Sequence, residues 1–346
     1  MPFNSGAVGL AAPPPEVRVD IRQVARPQRR TFGALDLGTN NCRLLIARPA
    51  SHGFTIVDAF SRIVRLGEGM VQTGRLSDAA QDRAVDALRI CADKLRRRDV
   101  TITRNVATEA CRRATNGAAF IDRVYAETGI ALDVITPAEE ARLAVLGCQS
   151  LIDCDGPPAL VFDIGGGSTE LILVQKGARG EAIISEWVSI PWGVVSLAET
   201  EDTYLEIDER EPAYERMCAR VSAHFGRFAE AVARAAPGPL QLLGTSGTIT
   251  TLASVHLGLA AYDRRVVDGC TVTARSMHEI CAMLACRSPA ERAQVQCIGQ
   301  ERADLVVAGC AILDAILRQW PSEHVRVADR GIREGILRTL MIQGAR

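Results

Sequence analysis

A strand–turn–strand segment that occurs twice constrains the fold of this chain more than any other feature. The segment GALDLGTNNCRLLIA begins at Gly33, and the segment LVFDIGGGSTELILV begins at Leu160, a spacing of 127 residues. At that spacing Asp36 falls on Asp163, and the next glycine and the apolar positions of both strands also fall in register. Two hairpins that each carry an aspartate into a glycine turn predict a duplicated domain with a cleft between the copies.

The rest of the chain alternates predicted strands with predicted helices, which is typical of an α/β architecture. Ser77 is a natural N-cap for a helix that runs to about Arg98, with apolar side chains on one face at spacings of three and four residues. A second long helix is predicted over about residues 213–235, and a last one over about residues 325–346. We therefore expect helices to cover the sheets of both copies.

The domain boundaries follow from the repeat. We predict a flexible tail over residues 1–30, a first domain over residues 31–137 and a second domain over residues 138–346. The tail carries three consecutive prolines and lacks the basic start of a signal peptide. The last predicted helix is a candidate to pack back on the first domain.

Composition excludes several classes of protein. The chain has 346 residues, a formal net charge of −1 and 23% charged residues, without the basic excess of a nucleic-acid binder. Its eleven cysteines, an odd number with no CxxC pair, indicate reduced thiols in a cytoplasm rather than a secreted disulfide scaffold. No apolar stretch reaches the roughly 18–20 residues of a membrane helix. We expect a cytoplasmic protein that binds neither nucleic acid nor membranes.

The turn of the second hairpin predicts a phosphate site with a cation beside it. Three consecutive glycines let backbone N–H groups approach a ligand and form an anion nest. The flanking Asp163 and Glu170 accept hydrogen bonds only, so they suit a hard cation such as Mg²⁺ placed between them and phosphate oxygens. The alternative is a plain hairpin turn with two solvated acids. The predicted phosphate-binding residues of this loop are Gly165, Gly166, Gly167 and Ser168.

Two further loops have the same character. In the first hairpin Arg43 stands where the second has Glu170, and a guanidinium there would meet phosphate directly. The sequence GTSGT follows a predicted strand and opens a predicted helix, whose free N–H groups attract anions. Alone this third loop is a weak signal, but three such loops together indicate phosphate. The residues predicted to bind it are Asp36, Gly38, Thr39, Asn40 and Arg43 of the first loop, and Gly244, Thr245, Ser246 and Gly247 of the third.

Two motifs could supply catalysis. Thr136 and Pro137 suit the start of a helix, and Glu139 would complete a capping box there. Glu140 lies about 100° further around the helix axis, so it can face the cleft and deprotonate a water. Arg112 belongs to a paired arginine motif that could bind phosphate, although an exposed helix face explains such a pair equally well.

The motifs together resemble the exopolyphosphatase/guanosine pentaphosphate phosphohydrolase family. The resemblance extends from about Phe32 to Leu340 through ALDLGTNNCRLL, VATEACRRATNG, TPAEEARLAVLG, VFDIGGGSTEL, IPWGVVSL, LLGTSGTITTLA, ERADLVVAG and DRGIREGIL. It implies duplicated actin-like domains, the ribonuclease H-like fold shared with sugar kinases and Hsp70 chaperones, with an interdomain cleft. It also implies that Glu140 is the catalytic base and Arg112 a phosphate contact, and that Asp163 and Glu170 bind the metal.

The resemblance leaves alternatives open. It implies release of terminal orthophosphate from inorganic polyphosphate, with hydrolysis of guanosine pentaphosphate (pppGpp) or non-catalytic sensing of either molecule as alternatives. An actin-like kinase or ATPase is a further alternative. A homodimer is implied. Asn41 stands where the family commonly has a second hydroxyl residue, and the chain ends soon after DRGIREGIL, so a short form without the extra helical domain is expected.

Overall fold

The computed structural model describes residues 30–51, 53–178, 181–202 and 205–344. The first sheet has the strand order β3-β2-β1-β4-β5. Strands β1 to β3 form an antiparallel meander, and β1, β4 and β5 run parallel. The strands are β1 (Phe32–Leu37), β2 (Asn41–Ala50), β3 (Gly53–Ile63), β4 (Ile102–Ala107) and β5 (Asp133–Val134). The accompanying helices are α1 (Met70–Thr73), α2 (Asp78–Arg97), α3 (Glu109–Arg113), α4 (Gly117–Thr128) and α5 (Pro137–Cys148).

The second sheet has the strand order β8-β7-β6-β9-β11-β10, which repeats the first with one strand added at the edge. Its strands are β6 (Ala159–Ile164), β7 (Thr169–Lys176), β8 (Ala182–Ile190), β9 (Gln241–Thr245), β10 (Thr271–Thr273) and β11 (His324–Ala328). The remaining α-helices are α6 (Val194–Ala198), α7 (Ile207–Ser222), α8 (Gly226–Ala235), α9 (Ser246–His256), α10 (Arg264–Val267), α11 (Ala274–Ala285), α12 (Pro289–Ala293), α13 (Val306–Gln319) and α14 (Ile332–Gly344).

The two sheets match in register as well as in order. Asp36 pairs with Arg43 across the first hairpin, and Asp163 pairs with Glu170 across the second. The middle strand of each antiparallel meander carries an irregularity at the equivalent place, after Ile46 in β2 and at the corresponding position of β7. The predicted duplicated α/β architecture is confirmed, with the hydrophobic core divided into clusters on the faces of the two sheets.

Local sequence explains where α2 begins. The Ser77 hydroxyl accepts a hydrogen bond from the backbone N–H of Ala80, which satisfies one of the free donors at the helix start. Ala84, Leu88 and Cys91 lie on the buried face of the helix and pack against the first sheet. The prediction for this helix is confirmed.

Two helix predictions were wrong. The segment 213–235 forms two helices, α7 and α8, because the turn between them lets Phe225 and Phe228 pack against Trp320, with ring centroids 5.1 and 5.7 Å apart. The segment from residue 325 begins as strand β11, in which the alternating Val325 and Val327 are fully buried. A period of two places these valines in the core, so the helix starts only at Ile332.

The last helix, α14, lies on the face of the first sheet although β11 belongs to the second. Ile336 and Leu337 pack with Phe32 of β1 in one apolar cluster. Helices α5 and α14 cross closely, and a Cβ on Gly335 would lie 2.1 Å from the carbonyl oxygen of Leu143. The predicted domain boundary at residues 137 and 138 falls at the start of α5, and the predicted tail lies outside the described residues except for Arg30.

Within the described ranges no helix is both long and apolar enough to cross a membrane.

Candidate active site

The turns of the two hairpins meet at the end of both sheets. Each turn is closed by the same backbone bond, from Gly38 N–H to Asn41 O at 2.9 Å and from Gly165 N–H to Ser168 O at 3.0 Å. A Cβ on Gly166 would lie 2.8 Å from the backbone nitrogen of Asn40. The absence of a side chain on this glycine is therefore what allows the two loops to touch.

A cavity opens between these loops. It offers about 110 Å³ to the centres of water-sized groups, several times the roughly 10–15 Å³ that one water needs. That space suits a phosphoryl group with a hydrated cation. The predicted residues that line it are Asp36, Gly38, Thr39, Asn40 and Arg43 of the first loop, Glu140, Asp163, Gly165, Gly166, Gly167, Ser168 and Glu170 around the second, and Ser246 and Gly247 of the third.

Three polar atoms of the first loop are buried without a hydrogen-bond partner in the described part of the chain. They are Asp36 Oδ1, Thr39 Oγ1 and Asn40 Oδ1. Buried polar atoms in native proteins are almost always paired, so a cluster of three orphans beside a cavity indicates a ligand, ion or water bound there. The Thr39 hydroxyl can donate a hydrogen bond to an anion, and the oxygens of Asp36 and Asn40 can accept from water around a cation.

Glu140 is held at the cavity wall by the start of α5. Thr136 caps this helix by accepting a hydrogen bond from Glu139 N–H at 3.2 Å. The expected return bond from the Glu139 side chain to the cap is not formed, because Arg104 and Arg142 each bind that carboxylate at 2.7 Å. Glu140 is turned away from these arginines toward the cavity and is only 6% exposed.

Arg112 lies behind Glu140 and does not line the cavity. Its Nη1 and Nη2 atoms are each 3.3 Å from Glu140 Oε2, and Nη1 also donates to the carbonyl of Ile135 at 2.6 Å. Its Nε donates to Glu109 at 3.2 Å. The guanidinium is thus divided between two carboxylates and a carbonyl, so in this structure it orients Glu140 rather than presenting a free fork to phosphate.

Four carboxyl groups converge on the cavity and repel one another. Burial raises the pKa of Asp36 to about 6, against the lowering effect of Arg43. Burial and the nearby Asp163 raise the pKa of Glu170 to about 8. Burial and then Glu170 raise the pKa of Glu140 well above its ordinary value, although Arg112 opposes this. Burial also raises the pKa of Asp163. The four carboxyl groups outnumber the two arginines that line the cavity, Arg43 and Arg302, so a bound cation would offset the excess negative charge.

The carboxylates of the second hairpin, Asp163 and Glu170, fit a hard divalent cation. Ser168 and Ser189 each donate to Glu170 Oε1 at 2.8 Å, and Ser246 donates to Asp163 Oδ1. Each carboxylate keeps one oxygen without a hydrogen bond to a described residue. The described chain holds no group of three or more His, Cys, Asp or Glu arranged around one metal position. Two carboxylates with waters in the remaining positions are a set that Mg²⁺ accepts.

The first two residues of the third loop serve packing and attachment of the loop rather than the cavity. Gly244 and Thr245, predicted to bind phosphate, do not line the cavity. A Cβ on Gly244 would lie 2.6 Å from the Phe162 ring, so this glycine makes room for core packing. The Thr245 hydroxyl donates to the carbonyl of Arg330 at 2.6 Å. These two residues attach the loop to its own domain, and Ser246 and Gly247 face the cavity.

Two charged residues that line the cavity were missed by the sequence argument. Glu109 is held against Arg112, and Arg302 donates to Thr251 Oγ1 at 2.8 Å. Arg302 belongs to the ERADLVVAG motif, which contributed to the family resemblance but was given no role in the site. Arg43 reaches within 3.4 Å of the Cβ position of Gly247 and makes no hydrogen bond or ion pair with a described residue. Arg43 and Arg302 therefore give the cavity its positive charge.

The fold and the cleft define a duplicated α/β protein, built from two copies of one hairpin-containing unit. The chain belongs to the Ppx/GppA phosphatase family, whose model matches residues 45–343. The resemblance inferred from the motifs is thereby confirmed.

Individual relatives agree with this membership. The chain is 31% identical over 327 residues to Exopolyphosphatase 2 of Mycobacterium tuberculosis, covering 89% of this chain and 97% of the relative. It is 28% identical over 310 residues to the guanosine-5'-triphosphate,3'-diphosphate pyrophosphatase of Aeromonas hydrophila, covering 90% of this chain but 59% of that relative. An exopolyphosphatase structure from Cytophaga hutchinsonii superposes with a TM-score of 0.81 at 25% identity, covering 91% and 98% of the two chains. The Aquifex aeolicus family member superposes with a TM-score of 0.73 at 27% identity, with the same coverage.

Proposed function

We propose that this protein is an exopolyphosphatase that releases terminal orthophosphate from inorganic polyphosphate. The observation that carries the proposal is Glu140, a buried carboxylate at the wall of a cavity that is also lined by two glycine loops. A base opposite two phosphate-binding loops is the arrangement that water attack on a held phosphoryl group requires.

The reaction divides between the two hairpins. Loop N–H groups and Arg43 hold the oxygens of the terminal phosphoryl group. Glu140 takes a proton from water as the water oxygen bonds to phosphorus and the bond to the bridging oxygen breaks. The bridging oxygen leaves as the new end of the shortened chain. Arg112 favours the ionised form of Glu140, which is the form that can accept this proton.

Phosphatases of this family generally depend on a divalent metal ion. We propose Mg²⁺, held by Asp163 and Glu170, since oxygen-only donors beside phosphate suit that ion. When bound it would neutralise charge on the phosphoryl oxygens. Its charge would also oppose the rise in carboxyl pKa that burial causes at Asp36, Glu140, Asp163 and Glu170.

Polyphosphate is proposed ahead of pppGpp because the exopolyphosphatase relative aligns over almost its whole length. The pyrophosphatase relative extends well beyond the matched region, and its similarity keeps pppGpp as the second candidate. A sensor without turnover has no need for a buried Glu140 beside Asp163 and Glu170. The kinase alternative is less favoured, because neither Gly244 nor Thr245 faces a ligand. Gly244 packs against the Phe162 ring, and the Thr245 hydroxyl donates to the carbonyl of Arg330.

We also propose a cytoplasmic homodimer. All eleven cysteines are free thiols, as a reducing compartment favours. The dimer rests on the family resemblance alone. Size-exclusion chromatography with light scattering on the full chain tests it, and a monomer at micromolar concentration contradicts it.

The substrate assignment is tested by phosphate release from medium-chain polyphosphate and from pppGpp, each with Mg²⁺ and with EDTA. We expect metal-dependent release from both, with the higher kcat/KM for polyphosphate. A higher kcat/KM for pppGpp would reassign the enzyme to the second candidate. Tight binding of either molecule without release would favour the sensor.

A further inference from the structure

Ser246 occupies a backbone position that is unfavourable for a residue with a side chain. It is the first residue of α9, directly after β9, and its φ is 78°. Residues other than glycine rarely adopt positive φ, and glycine does so without steric cost. A serine at this turn therefore costs stability that a glycine would not. Where such strain persists, the side chain usually has a task.

The task is visible in the contact that the hydroxyl makes. Ser246 Oγ donates a hydrogen bond to Asp163 Oδ1. Strands β6 and β9 are parallel neighbours, and Asp163 lies opposite Thr245 in their register, so Ser246 is the next residue past the strand end. The left-handed turn brings its side chain back over that end. Asp163 is only 5% exposed, and its Oδ2 atom makes no hydrogen bond to a described residue.

We propose that Ser246 is a positioning residue for Asp163: it holds one carboxylate oxygen so that the other is presented to the divalent cation. This inference rests on the proposed metal site. It differs from the phosphate-binding role that the sequence predicts for Ser246, because the hydroxyl is already engaged by the carboxylate. Partners that orient a metal ligand are typically worth about 10–100-fold in metal affinity.

Mn²⁺ binding to the full chain, titrated by electron paramagnetic resonance without substrate, tests the proposal. We expect Ser246→Gly and Ser246→Ala each to weaken Mn²⁺ binding by about 10–100-fold. Ser254→Ala is the matched control, since it removes a hydroxyl from the same helix that donates only to the carbonyl of Thr250. That variant should bind Mn²⁺ like the wild type.

Melting temperature separates positioning from a merely structural role. Ser246→Gly relieves the backbone strain, so it should melt at or above the wild-type temperature while binding Mn²⁺ more weakly. Ser246→Ala keeps the strain and should melt below Ser246→Gly. A structural role predicts the reverse, with a lower melting temperature for Ser246→Gly and unchanged Mn²⁺ affinity.

Asp163→Asn distinguishes failure of this inference from failure of the metal site itself. If Asp163→Asn loses Mn²⁺ binding and both Ser246 variants retain it within about threefold, the positioning role is overturned and the metal site stands. If Asp163→Asn binds Mn²⁺ like the wild type, Asp163 is not a metal ligand, and both the metal assignment and the role of Ser246 are overturned.

Discussion

Arg112 grips the carboxylate of Glu140 with both terminal nitrogens of its guanidinium, each 3.3 Å from Oε2. The two residues come from α3 and α5, and the pair closes one wall of the cleft behind the proposed base. Positive charge at this distance favours the ionised form of Glu140 and so opposes the rise in its pKa that burial and Glu170 cause. The proposed catalysis therefore depends on a residue that does not line the cavity.

Replacing Arg112 should move the acid limb of the pH–rate profile. Without the guanidinium the pKa of Glu140 rises further, and the base is ionised only at higher pH. We expect Arg112→Gln to shift the acid limb of kcat to higher pH and to lower kcat at pH 7. Arg113→Gln is the control, since its side chain is largely exposed and 3.6 Å from Glu109. An acid limb that stays in place would separate Arg112 from the ionisation of Glu140.

Asp36 should cost the fold stability. Its folded pKa of about 6 lies above the ordinary value of 3.8, so its penalty is absent below pH 3.8 and complete above pH 6. We expect Asp36→Asn, in EDTA, to raise the free energy of unfolding at pH 7.5 by about 1–3 kcal/mol. This gain in the free energy of unfolding should vanish at pH 3.5. The same variant should release phosphate more slowly than the wild type. Urea unfolding measures it against Asp86→Asn, an exposed control, and a loss of stability at pH 7.5 contradicts it.

The contact between the two loops should fail when Gly166 gains a side chain. The Cβ of Gly166→Ala would lie 2.8 Å from Asn40 N and 3.0 Å from Thr39 Cβ, so the loops must separate. We expect KM for polyphosphate to rise at least about tenfold, a loss near 1.4 kcal/mol of binding. Gly238→Ala, where a Cβ meets no atom within 4 Å, should leave KM unchanged. Equal KM values in the two variants would argue against a phosphate site between the loops.

Arg65 follows β3 of the first sheet and binds both oxygens of Asp304, which precedes α13 and lies two residues after the cavity-lining Arg302, at 2.6 and 3.0 Å. Asp304→Asn removes the charge of this half-buried pair, which is worth about 1 kcal/mol. We expect a more open cleft, seen as a larger radius of gyration by small-angle X-ray scattering, and a higher KM. Glu279→Gln, which breaks only an exposed helix pair with Arg275, is the control. An unchanged radius of gyration and KM would show that Arg65 does not hold the cleft closed.

The sequence could predict those parts of the site that follow from local pattern. Asp36 and Asp163 were found because hairpin geometry repeats at a fixed spacing, and Glu140 because it follows a recognisable helix cap. Gly244 and Thr245 were assigned to phosphate from their place in the GTSGT loop. The direction in which a loop residue faces, however, depends on its neighbours in the fold. The Phe162 ring and the carbonyl of Arg330 decide that direction, and both come from distant parts of the chain.

Contacts between distant segments explain the remaining differences. Arg302 lies far along the chain from the hairpins, and only the folded cleft brings it to the cavity. Segment 325–328 was predicted as helix because its apolar residues suit either structure over so short a run, and pairing with β9 decided the outcome. The unexpected bond from Ser246 to Asp163 likewise depends on parallel strands far apart in sequence.

Glu140 is tested as the catalytic base by the rate of phosphate release from Glu140→Gln and from Glu139→Gln, with saturating polyphosphate and Mg²⁺. The two variants change adjacent residues of one helix in the same way, but only Glu140 lines the cavity, and Glu139 is bound by Arg104 and Arg142. We predict that Glu140→Gln lowers kcat by about 10²–10⁴-fold with little change in substrate binding. Glu139→Gln should keep most of its turnover. Near-wild-type kcat in Glu140→Gln would contradict the assignment of Glu140 as the base.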